Sequence, residues 1–69
     1  MDAIKQDLIS RKSEIQTELE MIFKTNMKIT NWDVPEADDK EAANILLDMM
    51  QEKLDAIKAD VEAGNYDNY

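Results

Sequence analysis

The sequence predicts an all-α protein, an antiparallel two-helix hairpin that dimerises into a four-helix bundle. Three observations carry that expectation. Glycine and proline occur once each in 69 residues and divide the chain into two long stretches with no helix breaker. Both stretches place apolar residues at helical spacing. The second stretch carries two apolar seams, where a helix packed on one side needs only one.

The first helix is expected over about 3–29. Leu8, Ile15, Ile22 and Ile29 form a strict seven-residue row, widened by Ile4, Ile9, Leu19 and Phe23 into a stripe that should face the core. Arg11 and Lys12 interrupt the stripe between Leu8 and Ile15, and Asn26 interrupts it between Ile22 and Ile29. A polar residue inside a helix-pairing seam fixes register or oligomer state, whereas one at its flank reaches out to water.

A turn is expected over 30–35, where Trp32, Asp33, Val34 and Pro35 end the periodic pattern. Asp33 with Glu36, or Asp38 with Glu41, has capping-box spacing, and Pro35 suits the first turn of a helix. The second helix is accordingly expected over about 36–63, with Gly64 as a left-handed cap. Residues 1–64 then form one hairpin domain. The tail 65–69 has no periodicity and is expected to be mobile. Each helix would be about 40 Å long, and matched lengths with a short connection favour antiparallel pairing.

Within the second helix, Ala43, Leu47, Met50, Leu54, Ile57 and Val61 follow the alternating spacing of a helix lying along a partner helix. Nearly opposite, Ala42, Met49, Ala56 and Ala63 recur every seven residues beside Ile45 and Ala59. The first seam is assigned to the hairpin. The second is assigned to an oligomer interface built from Ala42, Ile45, Met49, Ala56 and Ala63. A chain this short needs a staple, and the absence of cysteine and histidine removes disulfides and structural zinc. Association with another chain is the staple that remains, with a homodimer favoured.

The net charge of −8 is unevenly placed. Residues 1–30 are balanced, whereas 31–69 hold eleven acids against Lys40, Lys53 and Lys58. Such a surface repels nucleic acid and anionic lipid, so neither is expected as a direct partner. The start MDAIKQDL has neither the basic nor the apolar region of a signal peptide, and the longest apolar clusters are far too short for a membrane span. A cytoplasmic protein is expected.

Catalysis is not expected. Ser10 and Ser13 lack a histidine base, and a two-helix chain offers little concavity in which a carboxylate is desolvated. No EF-hand loop is present, and di-iron bundles need histidine. No metal or cofactor is expected.

Function is therefore expected as protein binding that modulates or inhibits a partner. The candidate contact residues are Trp32, Met49 and an acidic flank of Asp48, Asp55 and Glu62. Trp32 is open to two readings, a plug over the core beside Val34 and Phe23, or an exposed contact residue. Met49 suits an adaptable interface. The acidic row, which includes Glu41, is either a solvated face or a surface for a basic partner. Two alternatives follow: a nucleic-acid mimic in the basic groove of a DNA-handling protein, or a structural subunit of a larger assembly.

Overall fold

A computed structural model of the chain describes residues 2–36 and 38–67. It is all-helical, with α1 (Ala3–Ser10), α2 (Lys12–Asp33) and α3 (Asp39–Glu62), and no strand occurs among the described residues.

The first stretch is helical almost throughout, with a single-residue fault at Arg11. Asp2 caps α1 by accepting the Ile4 N–H at 3.0 Å. At the other end the Ser10 hydroxyl donates to the Asp7 carbonyl at 2.6 Å. The Arg11 N–H turns instead to the Leu8 carbonyl, three residues back, at 3.1 Å. A hydroxyl bonded to a carbonyl of its own helix competes with the ladder in this way. The ladder resumes where the Ile15 N–H meets the Arg11 carbonyl at 2.9 Å.

α2 runs to Asp33, past the end expected near residue 29. Proline disfavours helical geometry in the residue before it. Val34 duly leaves the helix at φ −131° and ψ 78°, and the residues before it are free to stay helical. The loss of apolar pattern after Ile29 therefore marks a change in what is exposed, not a change of backbone. Trp32 consequently lies in the last turn of α2 instead of in a turn over 30–35.

α3 begins at Asp39, later than the expected start near 36, because the second of the two caps is the one used. The Asp38 carboxylate accepts the Lys40 N–H at 3.1 Å. Asp39 and Glu41 in the first turn favour the positive end of the helix dipole. The other end closes as a Schellman motif, with Gly64 N–H on the Val61 carbonyl and Asn65 N–H on the Asp60 carbonyl. Gly64 sits at φ +86°, the only positive φ among the described residues. Asn65–Asp67 continue as a turn, and Asn68 and Tyr69 of the expected mobile tail lie outside the described residues.

No described residue is buried. Apart from Gly64, the half-buried ones are Phe23, Met27 and Thr30 of α2 and Ala42, Ala43, Leu46 and Met50 of α3. All belong to the halves of α2 and α3 nearest the connection. Of the predicted stripe only Phe23 is half-buried; Leu8, Ile15, Leu19, Ile22 and Ile29 are 42–54% exposed, and Ile4 and Ile9 are 70% and 55% exposed. Leu47, Leu54 and Val61 of the inner seam are also exposed. The packed face of α3 is rotated towards the outer seam, so that Ala42 and Leu46 share it with Ala43 and Met50. Small side chains at 42 and 43 allow α2 to approach beside the connection.

The chain is long for its size. It measures 49 × 27 × 17 Å with a radius of gyration of 16.0 Å, against about 11 Å for a compact domain of this length. Both ion pairs among the described residues, Arg11–Asp7 and Lys24–Glu20 at 3.1 Å each, join positions four apart on one helical stretch. Neither of them joins a base of the first stretch to an acid of α3. No helix among the described residues is long and apolar enough to cross a membrane.

Candidate protein-binding surface

Beside the line where α2 and α3 meet, the two helices leave a groove of about 430 Å³. Asn26, Thr30 and Val34 form its α2 side, and Ala42, Ile45, Leu46 and Met49 form its α3 side. Asp38 and Glu41 add two carboxylates to the wall. The groove exists because Thr30 and Ala42 are small where the helices approach, so larger neighbours line its sides without filling it.

Three of the residues assigned to an oligomer interface, Ala42, Ile45 and Met49, come together in this groove. Ala56 and Ala63, farther along α3, do not line it. Met49 is 61% exposed there. Asn26 donates its Nδ2–H to the Ile22 carbonyl at 2.8 Å, which leaves its Oδ1 as an acceptor. Leu46, Val34 and Thr30 were in neither seam. The signal that could have found them is the pair of i, i+4 rows 42–46–50 and 26–30–34.

A second, smaller concavity of about 270 Å³ lies at the far end of the first stretch, lined by Leu8, Ile9, Lys12, Ile15 and Gln16. Its apolar members belong to the bare stripe.

Trp32 is 85% exposed. It does not plug the end of a core, and Phe23 and Val34 do not cover it. On a helix of 3.6 residues per turn, Trp32 falls roughly opposite Asn26 and Thr30, away from the groove.

The acidic flank of Glu41, Asp48, Asp55 and Glu62 is exposed, and Glu41 also lines the groove. Asp55 accepts a hydrogen bond from the Gln51 amide at 2.9 Å. Neither ion pair among the described residues involves an acid of α3. Among the described residues no group of three or more acidic side chains is arranged to hold a metal ion. No protein-family model matches the chain, and no curated protein or solved structure is significantly similar to it.

Proposed function

We propose that this chain is a small acidic protein–protein interaction module. In that reading α2 and α3 form an antiparallel hairpin, two copies join into a four-helix bundle, and the assembled surface binds and modulates or inhibits a cytoplasmic partner protein without catalysis. The observation that carries the reading is the excess of exposed surface. The chain exposes 6272 Å², against about 4,500 Å² for a compact monomer of its 8.0 kDa mass. The difference, roughly 1,800 Å², is what one protomer buries in an obligate dimer. With no buried residue among the described residues of the single chain, association would supply the missing core.

Size-exclusion chromatography with light scattering tests the first half. A species of twice the chain mass is expected at micromolar concentration, and a cooperatively folded 8.0 kDa monomer would sink the reading. The second half is tested by capture from the source cell with wild-type and Trp32→Ala baits. A partner held by the first bait and lost from the second is expected.

The exposed row Glu41, Asp48, Asp55 and Glu62, with no cation paired to it among the described residues, supports a second reading as a nucleic-acid mimic. Mimicry weakens steeply as salt rises, whereas an apolar contact changes little. A purely structural subunit would instead aggregate or unfold when isolated.

A further inference from the structure

We propose that the bare stripe of the first stretch is the dimer seam. Two copies pair it antiparallel about a two-fold axis at Leu19, so that Lys12 of each copy lies against Asn26 of the other. This rests on the dimer proposed above and adds which helices meet and in which register.

The seam is defined by what α3 leaves uncovered. Phe23, Met27 and Thr30 take the contact with α3 and are half-buried. Next to them, Leu8, Ile15, Leu19, Ile22 and Ile29 stay 42–54% exposed. With Lys12 and Asn26 included, the positions step by four and three alternately, which is the spacing of two helices lying side by side. The seam therefore has two polar positions, and they stand seven residues on either side of Leu19.

That symmetry decides the orientation. In a parallel pair each position meets its own counterpart, which places two Lys12 ammonium groups together in the seam. In an antiparallel pair centred on Leu19, Lys12 meets Asn26 twice, while Ile15 comes within one residue of Ile22 and Leu8 within one residue of Ile29. The chemistry of the polar pair matches. An ammonium group only donates, and Asn26, having given an N–H to the Ile22 carbonyl at 2.8 Å, keeps Oδ1 to accept. A polar pair satisfied in one register and not in others is how such seams specify alignment.

Two further features agree with this register. The concavity containing Leu8, Lys12 and Ile15 on one copy falls on the groove containing Asn26 on the other, and the reverse. That groove also carries the Asp38 and Glu41 carboxylates, so it is negative where the incoming concavity brings Lys12. The arrangement is isologous and closes on itself, as a two-fold dimer must.

Because the chain has no cysteine, introduced ones report the register without background. Lys12→Cys and Asn26→Cys, mixed and treated with a short bismaleimide, should give a cross-linked heterodimer as the main product, with little cross-linking of either variant alone. Cross-linking of Lys12→Cys to itself would overturn the antiparallel register. A wild-type dimer by light scattering with no cross-link in the mixture would also overturn it, while leaving the dimer itself intact. A monomer without cross-links would remove both readings. A charge exchange gives an independent measurement should either cysteine perturb folding. Lys12→Glu should weaken the dimer about tenfold or more. Adding Asn26→Lys to it should restore the affinity to within about threefold of wild type. A double variant no tighter than Lys12→Glu alone would overturn the pairing.

Discussion

The two halves of α2 and α3 differ in a way that single-helix periodicity does not reveal. Near the connection, Phe23, Met27 and Thr30 of α2 and Ala42, Ala43, Leu46 and Met50 of α3 are all half-buried. Away from it, Leu19 and Leu54 carry equally apolar side chains and remain 42% and 44% exposed. The difference is one of neighbours. The connection holds the first pair of halves together, so their contact needs little extra loop entropy. The distal halves have no such tether and no buried partner within one chain. An apolar stripe therefore says that a face will be covered, and the tether says which part is covered from within.

The largest effect should come from the packed half. Phe23→Ala is expected to lower stability by about 2 kcal/mol, short of the full penalty because the ring is only half-buried. Leu54→Ala should cost clearly less in a dilute monomer and approach the same value only where a second copy covers it. Urea denaturation followed by circular dichroism over a range of protein concentrations separates the two. Equal, concentration-independent losses would erase the distinction between the halves.

The caps give a smaller contrast between the same two ends. Asp38→Ala removes the acceptor for the Lys40 N–H and should cost about 1 kcal/mol, felt by the α2–α3 contact as a whole. At the distal end a Cβ on Gly64 would stand 3.0 Å from the Asp67 carboxylate, on a backbone at φ +86°. Gly64→Ala should cost about 1 kcal/mol. Hydrogen exchange should report that loss as fraying confined to the last turn of α3. Global loss of protection in Gly64→Ala would mean that the distal end is part of the cooperative unit.

Much of the backbone was legible in the sequence, because capping and proline effects are local. Asp38 and Gly64 do what short-range chemistry requires of them. The fault at Arg11 was not legible as a fault, since Ser10 and Arg11 are compatible with a continuous helix until the serine hydroxyl takes the Asp7 carbonyl. Faces were less legible than ends. The row Leu8, Ile15, Ile22 and Ile29 keeps a strict seven-residue spacing, and it is left bare. Met27 and Leu46, which make the contact, stood outside the rows because periodicity gives the width of an apolar face and not what it meets. Trp32 shows the same limit, since one tryptophan near a connection fits a plug or a contact residue equally until its exposure is known.

On the groove side of the molecule, Met49→Asp sets a third carboxylate beside Asp38 and Glu41. The side chain is 61% exposed in the single chain, so helicity should survive nearly unchanged. Self-association should fall about tenfold or more, because the new charge would have to be desolvated among like charges. Light scattering with circular dichroism reads both quantities on one sample. Melting of the helices with dissociation would show that the groove wall also holds α2 to α3.

The smallest effect on the fold, and the sharpest on function, is expected at Trp32. At 85% exposure it has little to lose on truncation, so Trp32→Ala should change stability by no more than about 0.5 kcal/mol. Its exposure and its position across α2 from the groove leave it accessible to another protein. If it anchors a partner, the same substitution should cost at least about 2 kcal/mol in affinity, read by titration calorimetry with the captured partner. Asp48→Lys with Asp55→Lys is the control, because it reverses charge along α3 without touching the tryptophan or the groove. That variant should mainly slow association and flatten its salt dependence. The opposite pattern, with binding abolished by charge reversal and indifferent to Trp32, would transfer the functional surface from the end of α2 to the flank of α3. Mimicry of a nucleic-acid backbone would then explain the chain better than a hot-spot contact.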